Sequence, residues 1–180
     1  MKAMLAAAVL LLAPAAANAQ TAPAPAAAAP AATAIYDKAL VNGWQNWSWA
    51  TVELSADAGA HKPIKVEAKG WQALYLHHDP FDTTPYRGIS LLIQSTGGEA
   101  SFRIVAVVGG KPVTDPKSPA GAEPIPLGKV VTVTPGGWKQ VQVSLRDLGV
   151  EKKQIDGFWI QNATAQDAPP VYVADVSLMQ

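Results

Sequence analysis

What most limits the fold open to this chain is a succession of short runs that alternate apolar with polar residues or are β-branched: WSWATVEL, IKVEA, WQALYLHH, GISLLIQS, SFRIVAVV, KVVTVT, KQVQVSL, DGFWIQ and VYVADVSLM. Period-two alternation sends successive side chains to opposite faces of an extended strand. Between the runs stand SADAGAHKP, DPFDTTPYRG, STGGE, TPGG, NATAQDAPP and the long GGKPVTDPKSPAGAEPIPLG, all rich in turn-forming residues. No repeat of fixed period is present, and the single helix-like stretch, SLRDLGVEKKQID, has room for one turn after Leu145. About nine or ten strands with mixed connections predict an all-β fold, a two-sheet antiparallel β-sandwich of jelly-roll type.

The ends set the organisation. Residues 1–19 carry one early lysine, an apolar run from Met4 to Leu12 and a small-residue ANA before Gln20, the pattern of a signal peptide. The run is too short to span a bilayer, which takes roughly 20 residues, so membrane insertion is not expected and export to the periplasm or beyond is. Residues 20–33, QTAPAPAAAAPAAT, offer nothing to bury and read as a flexible Ala/Pro linker. Residues 34–180 then form one domain of ordinary size. Cysteine is absent, which excludes disulfide staples and thiol chemistry, and the formal net charge of zero gives no electrostatic case for nucleic acid.

A face for a sugar chain needs aromatic rings, on which the C–H groups of a pyranose lie flat, with polar side chains between them for the hydroxyls. Alternation in WQALYLHHD puts Leu74 and Leu76 in the core and Trp71, Tyr75 and His77 on the other side. The same rule buries Phe158 and Ile160 and presents Trp159 and Gln161; it buries Phe102 and Ile104 and presents Arg103. It also buries Val141, Val143 and Leu145 and presents Gln140 and Gln142. Four strands are thereby expected to build one concave aromatic and polar sheet face. Tryptophan is usually highly buried, so the structural alternative is that Trp71 and Trp159 cover the edge of the sandwich. In GWQNWSWATVEL, Trp47 and Trp49 share the parity of Thr51 and Glu53, opposite Val52 and Leu54, which places both on the ligand side of a regular strand; a core role stays open. Trp44 follows an Asn-Gly turn signal and is assigned to the core. Asp79 is a candidate sugar hydrogen-bonder or the first residue of a turn, and HHDPFD lacks the three or four convergent ligands that a transition metal takes.

The closing segments GGWKQVQVSLRDLGV, QIDGFWIQNA and VYVADVSL resemble the last strands of jelly-roll carbohydrate-binding modules attached to secreted bacterial glycoside hydrolases, and IYDKALVNGWQNWSWATVEL with WQALYLHHDPFDTTPYRGISLLI is similar to their first half. The resemblance implies a galactose-binding-like, carbohydrate-binding-module-like sandwich. It also implies binding of a polysaccharide or oligosaccharide by a monomer, and one structural calcium ion between the terminal strands at Asp37 and Asp175. No nucleophile elbow, phosphate loop or facing pair of acids is evident. A non-catalytic binding module is therefore the expected function. The alternatives are a small glycosidase, a lyase with Tyr75 or His77 as base and Arg103 neutralising a uronic acid, and an envelope module that binds protein.

Overall fold

The computed structural model describes residues 33–121 and 123–180. The expected signal peptide and nearly all of the expected linker lie outside the described residues. Thr33, assigned to the linker from sequence, instead opens the first strand and pairs with Leu178.

The strands are β1 (Thr33–Asp37), β2 (Ala39–Leu40), β3 (Gln45–Asn46), β4 (Thr51–Glu53), β5 (Ile64–Glu67), β6 (Ala73–Asp82), β7 (Gly88–Ser95), β8 (Ala100–Val108), β9 (Lys111–Pro112), β10 (Gly128–Val133), β11 (Lys139–Ser144), β12 (Gln154–Asn162) and β13 (Val171–Met179). They form two sheets. One runs β11-β7-β13-β1-β2, with β5 on β13 and β4 on β5; the other runs β10-β8-β12-β6-β3, with β9 on β8. Every pairing between these strands is antiparallel, as expected of a jelly roll. The core lies between the sheets: Leu74, Leu76, Phe102, Ile104, Phe158 and Ile160 meet Ile35, Ile64, Ile89, Leu91, Ile93 and Val173. The alternation rule chose all six of the first group correctly. The segment after Leu145 is a turn closed by Val150 N–H donating to the Leu145 carbonyl at 2.9 Å.

The strand count exceeds the expectation because four strands, β1, β2, β3 and β9, lie outside the nine runs. β3 pairs with β6 in one sheet and β4 with β5 in the other. Trp47 to Ala50 are the crossing between the sheets, so parity with Thr51 and Glu53 has no bearing on Trp47 and Trp49. DPFDTTPYRG, read as a turn, begins as strand, because β6 continues through Asp82 opposite Gln154.

Candidate functional site

The outer face of the second sheet is built row by row from the strand register. Val130, Arg103, Gln161 and Ala73 form one row across β10, β8, β12 and β6. Gly128, Val105, Trp159 and Tyr75 form the next, and Val107, Gly157, His77 and Gln45 the third. The sequence thus placed Tyr75, His77, Arg103, Trp159 and Gln161 on one face, and the structure brings these five together.

The crossing segment completes the face. Trp47 N–H donates to the Tyr75 carbonyl at 3.0 Å, and the Ser48 hydroxyl accepts from Tyr75 N–H at 2.9 Å. Fixed this way along β6, Trp47 lays one side of its ring on His77, with centroids 3.5 Å apart and planes 6° apart. Trp49 meets Trp159 edge-to-face at 4.8 Å, and Tyr75 meets Trp159 at 6.1 Å. Trp47 is 55% exposed, Trp49 41% and Trp71 51%, unusual for rings of this size. Trp44 is buried on Phe158, as assigned.

Trp71 reaches the face by a different route from the one the alternation implied. It precedes β6 in a turn at φ +62° rather than standing on the strand. Its carbonyl accepts from Trp49 Nε1 at 3.3 Å and from Gln161 Nε2 at 2.9 Å, which ties turn, crossing segment and β12 together.

Beneath the rings the polar groups lack partners. The buried side-chain atoms without a hydrogen bond among the described residues are Tyr75 Oη, His77 Nδ1, Arg103 Nε, Asp156 Oδ1 and Trp159 Nε1. Four belong to residues that the register puts on this face. The fifth residue, Asp156, was missed in the sequence. It sits where β6 and β12 lose register between Ile155 and Gly157, with two extra residues on β6 between Phe81 and His77, so regular alternation does not carry across it. Gly110 N–H donates to Asp156 Oδ2 at 2.6 Å, leaving Oδ1 free. Gly157 beside it has φ +152°, and a Cβ there would overlap the Leu76 carbonyl and crowd the Tyr75 ring. The signal was Gly157, since a glycine inside a strand-like run marks an irregularity or a close backbone approach. Burial, with the Asp156 carboxylate nearby, pushes the Tyr75 phenol up to about 12, so its hydroxyl keeps its proton.

Three predicted residues lie elsewhere. Gln140 and Gln142 do point outward, but β11 belongs to the other sheet, and they line a groove along the β10 and β11 edges with Lys129 and Lys139. Alternation tells inside from outside but not which sheet a strand joins. Asp79 is exposed on β6, within the register shift between Phe81 and His77.

Asp37 and Asp175 do come together, lining one depression with Tyr36 and Ser177. Asp175 Oδ2 is 2.9 Å from His61 Nδ1, and the described residues contain no cluster of three or more His, Cys, Asp or Glu. Two carboxylates, one already engaged, fall short of the six to eight oxygens that calcium takes. Any ion there would depend on backbone carbonyls.

No family model matches the chain. An endoglucanase of Dictyostelium discoideum is 26% identical over 154 residues, 79% of this chain and 20% of the enzyme, so the chain spans about a fifth of that relative's length. The family 11 carbohydrate-binding module from Clostridium thermocellum, solved with a β-1,3-1,4-mixed-linked tetrasaccharide, superposes with a TM-score of 0.55 at 18% identity, covering 82% of this chain and 95% of the module. A family 29 carbohydrate-binding module complexed with cellulohexaose gives a TM-score of 0.53 at 12% identity over 82% of this chain and 89% of that one. At these identities the likeness is one of architecture, and the chain has the jelly-roll fold of carbohydrate-binding modules.

Proposed function

We propose that this protein is an exported, monomeric, non-catalytic module that binds a polysaccharide chain of the β-glucan kind across the outer face of the β10-β8-β12-β6 sheet. The observation that carries this reading is the coincidence of two features. Three exposed tryptophan rings supply stacking surface, and every buried side-chain polar atom left without a partner among the described residues lies on the same side of the molecule. Buried polar groups are ordinarily satisfied, and here five await hydroxyls beside rings suited to pyranose C–H groups. The architectural neighbours support an oligosaccharide ligand, since the family 11 module was solved with a β-1,3-1,4-mixed-linked tetrasaccharide and family 29 modules with cellulohexaose and mannohexaose. The endoglucanase likeness, confined to a fifth of that enzyme, is compatible with an accessory module.

Calorimetric titration of the purified domain with mixed-linkage β-glucan oligosaccharides, cellohexaose and mannohexaose tests the reading. Saturable binding to at least one is expected, with loss of affinity in Trp47→Ala and Trp71→Ala. Absence of binding to all neutral and acidic polysaccharides tried would overturn it.

A further inference from the structure

The face carries opposite charges at its two ends. Arg103 and Gln161 share a row at one end, and Val107 and Gly157, with Asp156 next to the latter, lie four residues further along β8 and β12, about 13 Å at 3.3 Å per residue. Asp156 is 6% exposed and is the one buried acid among the described residues. One of its oxygens is anchored by Gly110 N–H and the other is unpaired. Tyr75, also 6% exposed, leaves its hydroxyl unpaired on the same side.

Building on the glycan-binding reading, we infer that Asp156 and Tyr75 make the face selective for neutral sugars: Asp156 Oδ1 accepts a hydrogen bond from one ring hydroxyl, Tyr75 donates to the next, and a uronic acid at that position is rejected by the Asp156 carboxylate. The two groups offer an acceptor and a donor side by side, the arrangement a vicinal diol matches. The phenol is a dependable donor because its proton stays on throughout the physiological range. A sugar carboxylate would bring a second negative charge against a carboxylate held in a low-dielectric recess, where like charges repel far more than in water. Arg103 cannot offset this from the opposite end of the face. Both atoms are buried, and Trp47 meets the Tyr75 ring edge-on at 6.1 Å, so a sugar reaching them has to displace part of their cover.

The test compares wild type, Asp156→Asn and Tyr75→Phe for binding to mixed-linkage β-glucan and to a polyuronate of similar length, with thermal melts alongside. Wild type should bind the neutral glucan and ignore the polyuronate. Asp156→Asn, which keeps an oxygen for Gly110, should bind the glucan about ten- to a hundredfold more weakly, as loss of a hydrogen bond to a charged group implies, and should now bind the polyuronate through Arg103. Tyr75→Phe, which deletes one oxygen and provides the result should Asp156→Asn not fold, should weaken the glucan about tenfold and still reject the polyuronate. Wild type that binds polyuronate as well as glucan, or an Asp156→Asn that binds both ligands as wild type does, refutes the inference while leaving glycan binding intact. Wild type that binds neither glycan refutes the proposed function itself.

Discussion

Truncating Trp159 to alanine separates the ligand face from the core most sharply, and the structure sets the magnitudes. The ring is half-buried and meets Trp49 edge-to-face at 4.8 Å and Tyr75 at 6.1 Å. Each such pair is worth about 0.5–1.5 kcal/mol beyond the area it buries, and the indole N–H makes no hydrogen bond that truncation would forfeit. Trp159→Ala should therefore cost about 2–3 kcal/mol. Ile160, its neighbour on the opposite face, is fully buried, and Ile160→Ala should cost about 2–5 kcal/mol. The two ranges overlap, so melting alone does not distinguish them; the drop for Trp159→Ala is roughly 4–12 °C at about 2–4 °C per kcal/mol. Affinity does distinguish them. Titration with a β-glucan oligosaccharide, well below both melting points, should show Trp159→Ala at least tenfold weaker, about 1.4 kcal/mol, and Ile160→Ala unchanged in its folded fraction. Wild-type affinity in Trp159→Ala, or an equal loss in Ile160→Ala, would refute the assignment of the face.

Gly157→Ala should cost about 1–3 kcal/mol and weaken glycan binding, because the new methyl collides with the Leu76 carbonyl and displaces the Tyr75 ring; a silent substitution in melt and titration would contradict that packing. The raised Tyr75 pKa means the unfolded chain releases this proton first, near 10, while the folded chain holds it to about 12. Its stabilisation is thus complete below pH 10 and is lost as pH rises through 12, so melts from pH 9 to 12 should fall less steeply in Tyr75→Phe; parallel curves would exclude the burial effect. Asp175 stands at φ +49° and its pairing with His61 is largely exposed, so backbone strain outweighs the ion pair. Asp175→Ala should cost about 1–2 kcal/mol and Asp175→Gly less. Chelator should lower the wild-type melting temperature and leave the alanine variant's unchanged if calcium binds there, and an unaltered wild-type melt removes calcium from Asp37 and Asp175.

Much of this architecture was legible because a two-sheet sandwich obeys one local rule along each strand. Leu74, Leu76, Phe158 and Ile160 point inward where alternation puts them, and Tyr75, His77 and Trp159 outward. The rule is silent on anything that depends on which strands are neighbours. For that reason alternation groups Gln140 and Gln142 with the wrong sheet, and it treats WSWATVEL as one strand although its first half, Trp47 to Ala50, crosses between sheets. Trp71 has a left-handed backbone that an aromatic residue seldom adopts, so no sequence rule would have assigned it to a turn. Asp156 was within reach through Gly157, since a glycine inside a strand marks an irregularity or a close backbone approach, here that of the Leu76 carbonyl.

The distribution of carboxylates supports the proposed reading, in which this face holds a sugar chain rather than cutting one. A glycosidase sets two carboxyl groups across the scissile bond, about 5–5.5 Å apart when it retains configuration and about 6.5–9.5 Å when it inverts. Glu53, which shares the parity of Trp47 and Trp49, is carried off to the other sheet on β4, opposite Lys65. Asp79 is exposed within the register shift on β6. Among the residues that the strand register puts on the face there is no second acid to pair with Asp156, one of whose oxygens accepts from Gly110 N–H. The lyase alternative fares no better. A Tyr75 phenol pushed up to about 12 gives up its proton too reluctantly to serve as a base near neutrality, and His77 lies beneath the Trp47 ring. The groups that would do chemistry are instead groups that would make hydrogen bonds, which is what a module that grips a neutral chain requires.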